Sequence, residues 1–372
     1  MGCYIDENPY VMINKLTLIV DTNWLFLSRL YFSKKWLRVD NSPDAKKVGS
    51  ELIINTMARS IRRILGVFPQ VDNIVFVEDG GSWRNTIHPS PGKEYKGNRS
   101  KDPGTDWAVA FGTLNHFLQI CRSRGFTVSQ APGAEGDDWV WYWSNRLLNS
   151  GTDCMIWTAD CDLRQCLNTK GNHFVCWYND GAGLYLPTKC KCPDDPMEYF
   201  MAPQMANANL DALRRYPNTF YESPDETVIK KVLSGDSGDN ISPIVSYTKG
   251  TRNYGFSNGD REKLRAKLNI RGLDDLWSNR DNIATWITKQ KKFIPYKFTN
   301  KTINEQFDIN KKLVWLSEET IPQEVRDRMN TGERSEYRIG PTVEVRSDYK
   351  LLTDENNEVE DIYYRIGYGE PK

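Results

Sequence analysis

TLIVD, residues 17–21, is a short apolar run that ends directly on an acid, Asp21. The same pattern returns in IVFVED, residues 74–79, ending on Asp79, and in MIWTAD, residues 155–160, ending on Asp160. Runs this short, apolar and rich in Val and Ile read as buried strands. Between them, a 3.6-period stretch predicts a helix over residues 51–65 stopped by Gly66, and another over 106–124 closed by Gly125. A strand over 126–129, a helix over 137–148 and a strand over 174–178 continue the alternation. Strands alternating with helices predict an α/β fold with a mostly parallel central sheet flanked by helices.

The chain divides into three expected domains. Residues 1–222 form the α/β core, interrupted at about 80–106 by a basic loop. Ser223, Pro224 and Glu226 then suggest a capping box with Pro at N1, opening a mainly helical, basic region over residues 223–312. Residues 313–372 form a C-terminal extension whose final part alternates like strands.

Composition narrows the function classes. The 372 residues are 39% hydrophobic and 26% charged, enough for a large core and a second, smaller unit. Lys plus Arg balance Asp plus Glu at 49 each, so a basic surface has to come from segregated charge. The start of the sequence shows no signal pattern, the 8 cysteines need no disulfide staples in so long a chain, and no apolar run reaches the roughly 20 residues of a membrane span. The expectation is a cytoplasmic monomer without membrane contact. Neither a Walker loop nor G-x-G-x-x-G is present. Cys161, between two aspartates that disfavour its thiolate, is expected to pack rather than react.

In an open parallel sheet the carboxyl ends of the strands line one edge, so Asp21, Asp79 and Asp160 are expected to converge there. GAEGDD, residues 133–138, opens the following helix and brings Glu135, Asp137 and Asp138 to the same edge. Asp162 lies two residues past Asp160, and GDSGDN, residues 235–240, adds Asp236 and Asp239. So many carboxylates in one cleft repel one another unless cations compensate them. All-oxygen donors without a matched His set favour Mg²⁺, with Mn²⁺ able to substitute, and two such ions suit phosphodiester hydrolysis.

The loop after Asp79 interleaves Arg84, Lys93, Lys96, Arg99 and Lys101 with Trp83, Tyr95 and Trp107. Cations neutralise phosphates and rings stack on unpaired bases, a combination suited to single strands.

Taken together, IVDTN, FVEDGGSWR, EYKGNR, GAEGDD, TADCDLRQC and SGDSGDNI, in this order over residues 16–241, resemble the 5′-nuclease superfamily. That superfamily includes flap endonucleases, the 5′-nuclease domain of bacterial DNA polymerase I and bacteriophage RNase H enzymes, the last of which the chain resembles most. The resemblance implies a PIN-like core and a magnesium-dependent 5′-to-3′ exonuclease or flap endonuclease, with RNase H-like action on RNA–DNA hybrids. It implies that Asp21, Asp79, Glu135, Asp137, Asp138 and Asp160 make an inner metal site, and that Asp162, Asp236 and Asp239 hold the second ion or its waters. Arg84 and Lys96 join the catalytic set, and Arg84, Lys93, Tyr95, Lys96, Arg99, Lys249 and Arg252 the nucleic-acid contacts.

Flap, nicked or gapped DNA is the implied substrate, in viral DNA replication, with a single-strand-binding protein or clamp as partner. The match weakens after GDSGDN, where residues 241–268 lack the family's tight Gly-x-Gly turn and carry extra residues. A PIN-type endoribonuclease is the nearest alternative, but it usually lacks both the long basic loop and GDSGDN. A non-catalytic, structure-specific DNA-binding homologue is the other alternative; it would be expected to have lost acids that are all present here.

Overall fold

The computed structural model describes residues 16–68, 70–188, 217–249 and 251–336. β1 (Leu16–Asp21) lies between β2 (Val71–Val77) and β4 (Asp153–Trp157), both parallel to it. β3 (Thr127–Ser129) extends the sheet beyond β2, and β6 (His173–Asn179) beyond β4, again in parallel. The short β5 (Asn168–Lys170) and β7 (Gly183–Pro187) both pair antiparallel with β6, and β8 (Thr219–Glu222) is parallel to β7. The order β3-β2-β1-β4-β6-β7-β8 makes a mixed, mostly parallel sheet, as the alternation predicts.

Register explains why the acids meet. Val20 is level with Phe76 and Trp157, so the chain leaves β1, β2 and β4 at one edge, within a few residues of Asp21, Asp79 and Asp160. Side chains alternate across the sheet. Leu16, Leu18 and Val20 enter a core with α1 (Thr22–Ser33), α2 (Pro43–Val67) and α3 (Trp107–Ser123), whereas Ile19 enters a second core with α4 (Gly136–Asn149). Trp139, Trp143, Trp157 and Trp177 are fully buried and fill much of the sheet–helix contact.

Several local readings change. Gly66 does not stop α2, which runs on to Val67 and begins at Pro43, with Ser42 as its cap. Helix α1 follows β1 with no break, which the apolar continuity of residues 16–30 hides. Among the later elements, α5 (Pro224–Ser234) has Pro224 in its first turn, but Ser223 makes no side-chain cap bond. Its expected partner Glu226 instead takes a two-pronged bond from Arg265, at 2.7 and 2.8 Å.

Helix α5 shares a third core with α6 (Asn258–Leu268), α7 (Leu273–Ser278), α8 (Arg280–Thr288) and α9 (Asn300–Val314). The extra residues after GDSGDN form a hairpin, β9 (Ser246–Lys249) against β10 (Arg252–Gly255). α10 (Gln323–Glu336) then returns to the sheet, where Leu316, Ile321, Val325 and Met329 join the second core. The strand-like reading of the chain's final part lies outside the described residues.

Candidate metal centre

Each strand-end acid is fixed by a backbone N–H. Asp21 accepts from the Trp24 amide at 3.0 Å and so caps α1, while its other oxygen accepts from the Thr158 hydroxyl at 2.7 Å. Asp79 accepts from the Gly136 amide at 2.6 Å, at the start of α4. Asp160 accepts from the Asp162 amide at 2.8 Å and caps the 3-10 turn Cys161–Cys166. Thr158 ties two of these together, because its hydroxyl also accepts from the Asp160 amide at 3.0 Å.

Mutual repulsion shows that the acids share one field. Burial, then the charges of Asp79 and Asp160, pushes Asp21 up to about 6 against the relief of its two hydrogen bonds. Burial and Glu135 raise Asp79, and burial and Asp160 raise Asp137 well above the ordinary carboxylate range. Asp162 is pushed up to about 6 by burial and by Asp160. Carboxylates raised by burial and further by one another are a donor set that a cation would relieve. Asp162, Asp236 and Asp239 each offer an oxygen within 4.8 Å of the others, which suits a hard divalent ion.

Glu135 and Asp138 are differently engaged. Arg84 reaches Glu135 and Asp138 at 2.8 Å each, with its side chain 2% exposed. The other Asp138 oxygen accepts from the Trp83 indole at 3.1 Å and the Glu135 amide at 3.0 Å. Burial works against a charged Glu135, yet Arg84 and Lys96 hold its pKa below the usual range. Arg84 is therefore a buried brace inside the site, not a surface contact for nucleic acid. Tyr95 is also buried, its hydroxyl 3.5 Å from both Glu135 and Asp239.

The basic loop is stitched to the GDSGDN turn rather than loose. The Lys96 amide donates to the Asp239 carbonyl at 3.0 Å, Asn98 to the Ser237 carbonyl at 2.8 Å, and Asn240 back to the Glu94 carbonyl at 2.9 Å. Lys96 reaches Glu135 at 3.0 Å, and Arg99 pairs with Asp239. Lys93 is exposed and donates to the Ser242 hydroxyl at 3.1 Å. Lys249 and Arg252 lie on the β9–β10 hairpin. Cys161, expected to pack, is exposed.

Two backbone positions explain the glycines here. A side chain on Gly80 would place its Cβ 1.8 Å from the Ala131 carbonyl, where Gly80 pairs with residues 131–134. Gly235, at φ 70°, ends α5 with a Cβ position only 2.5 Å from the Ile241 carbonyl. Sequence reading missed Lys231, which pairs with both Asp162 and Asp236; its only signal is its place one helical turn before GDSGDN. Among the described residues no helix is long and apolar enough to cross a membrane.

Residues 16–190 match the family model of the 5′-3′ exonuclease N-terminal, resolvase-like domain. A 5′-3′ exonuclease of Mycoplasmopsis pulmonis is 25% identical over 239 residues, 63% of this chain and 64% of that protein. The match thus spans a little under two-thirds of that relative's length. The fold is also similar to that of the bacteriophage T5 flap endonuclease in a pseudo-enzyme–product complex with DNA and metal ions. That likeness has a TM-score of 0.53 at 15% identity and covers 87% of this chain and 98% of the other. The T5 5′-exonuclease with bound zinc ions matches with the same TM-score, 0.53, at 16% identity over 87% of this chain and 98% of that one.

Proposed function

We propose that this chain, which belongs to the 5′-nuclease superfamily, hydrolyses phosphodiester bonds near the 5′ ends of DNA strands as a Mg²⁺-dependent 5′-to-3′ exonuclease and flap endonuclease. The supporting observation is the gathering of acids from β1, β2, α4, the 3-10 turn after β4 and the GDSGDN turn at one sheet edge, under the cations of the basic loop. RNA–DNA hybrids are a second substrate, and removal of flaps or primers in DNA replication is the setting in which such cutting is needed.

Asp21, Asp79, Asp137 and Asp160 are suited to hold one ion, and Asp162, Asp236 and Asp239 the other. Bound there, the ions supply charge stabilisation to both the attacking and the leaving oxygen. The chain's own residues do the positioning. Asp79 and Asp160 are oriented by backbone amides, and Asp21 by an amide and the Thr158 hydroxyl, so the set needs little reorganisation. Arg84 bridges Glu135 and Asp138 inside the protein, and Glu135 in turn steadies Lys96. Lys96 and Arg99 place positive charge beside the acids, where phosphates are drawn in.

Residues 1–222 act as the catalytic core, 223–312 as a nucleic-acid-binding region reaching duplex through Lys249 and Arg252, and 313–372 as an extension.

The test is cleavage of a 5′-labelled flap duplex and an RNA–DNA hybrid, with Mg²⁺ or EDTA, by wild type and Asp160→Asn. Short 5′ products are expected from wild type with Mg²⁺, reduced by at least on the order of a hundredfold in Asp160→Asn and absent in EDTA. Tight binding without cutting by wild type would replace this reading with non-catalytic recognition of DNA structure.

A further inference from the structure

Lys231 stands in the last turn of α5, and its ammonium contacts Asp162 and Asp236 together. These are two of the three acids whose oxygens gather within 4.8 Å. The third, Asp239, is held by Arg99. The cluster best suited to a divalent ion is thus already served by side-chain cations, and a divalent ion and an ammonium on the same oxygens repel strongly. One must give way.

Lys231 has somewhere to go. It borders an open cleft whose walls include Lys93, Lys230, Ser237 and Asn240. The walls also include Asp236, which Lys231 engages, while Lys93 and Lys230 have no carboxylate partner among the described residues, so lysines outnumber the acid and the cleft attracts anions. A backbone phosphate there offers the Lys231 ammonium a replacement for the two carboxylates. Lysine suits the task because its charge is a point on a flexible four-carbon stem, free to reorient between partners.

We propose that Lys231 is a resident counter-cation of the Asp162–Asp236–Asp239 cluster, released by nucleic-acid phosphate. Without nucleic acid it lowers the affinity of the cluster for a divalent ion. A phosphate in the adjoining cleft draws it away and opens the carboxylates, so nucleic acid and ion each strengthen the binding of the other, as linkage requires. The inference rests on the reading of this cluster as a metal site.

The experiment follows free Mn²⁺ by electron paramagnetic resonance on the full chain. It compares wild type, Lys231→Met and Asp162→Asn, with and without a 5′-phosphorylated, nuclease-resistant phosphorothioate single strand, after subtracting the Mn²⁺ the oligonucleotide binds alone. Lys231→Met is expected to bind one Mn²⁺ on the order of tenfold more tightly than wild type without oligonucleotide. The oligonucleotide is expected to tighten the same site in wild type by on the order of tenfold, and not in Lys231→Met.

Equal or weaker Mn²⁺ binding by Lys231→Met overturns the proposal. So does a wild-type affinity that ignores the oligonucleotide, a comparison that stands even if the variant fails to fold. Unchanged Mn²⁺ stoichiometry in Asp162→Asn would reject the cluster as a metal site, and the proposal with it. Reduced stoichiometry there, with no response to Lys231→Met, would reject the proposal alone.

Discussion

At the scale of single residues, Arg84 decides whether the centre can exist. Its guanidinium is the buried counter-charge to Glu135 and Asp138, so removing it strands Asp138 inside the protein and leaves Glu135 with Lys96 alone. Breaking a buried pair in this way costs about 3–5 kcal/mol. Arg84→Met is therefore expected to lower stability by that amount in urea unfolding, with part of the loss recovered by adding Asp138→Asn. The strand-end acids work in the opposite sense.

Asp21 is raised from 3.8 to about 6, so between those values the folded protein holds a proton that the unfolded chain releases. Stability from this group is complete below the lower value and lost as pH rises through the upper one. In EDTA, the melting temperature of wild type should fall relative to Asp21→Asn between about pH 4 and 6, and Mg²⁺ at neutral pH should cancel the difference. The acids themselves were legible because apolar strands run straight into them. Arg84's burial was not: in GGSWRNT it reads as one more loop cation, and only the fold shows two carboxylates closing on it.

At the scale of elements, the basic loop and the GDSGDN turn form one joined surface. Lys96, Asn98 and Arg99 all bond residues 237–239, so the loop's cations are held beside the acids rather than searching for them. Lys96→Ala combined with Arg99→Ala is expected to reduce cleavage of substrates with a free 5′ single strand by on the order of a hundredfold, while Mn²⁺ stoichiometry stays at the wild-type value; steady-state kinetics and ion titration measure the two.

The loop's basic and aromatic content was visible in sequence, but its partner was not, because the contacts join residues about 140 positions apart. Helix α1 escaped notice for another reason: TLIVDTNWLFLSRL carries no Gly or Pro to separate strand from helix, and Asp21 serves as both the end of one and the cap of the other.

Across the whole molecule, the chain leaves the sheet after β8, builds the third core, and returns. Leu316, Ile321, Val325 and Met329 are buried against the same face as Trp139 and Trp143. Ending the chain at residue 315 would uncover that face, at about 1.5–3 kcal/mol for each side chain lost. The truncated protein is expected to melt well below the full chain and to aggregate, as thermal unfolding and size-exclusion chromatography would show. Alternating strands and helices made the α/β class readable, whereas the strand order, with β1 between β2 and β4 and with β7 and β8 reversed, depends on crossovers that no local pattern encodes.

The double use of Asp21, Asp79 and Asp160, each an acceptor for a backbone amide and each a charge in the acidic cluster, has a genetic meaning. Asparagine keeps the capping oxygen and drops the charge, whereas glutamate keeps the charge and overshoots the amide. Asparagine alleles at these positions would therefore be dominant over wild type in a mixed population: folded, resident on strand ends, and obstructing the molecules that still cut.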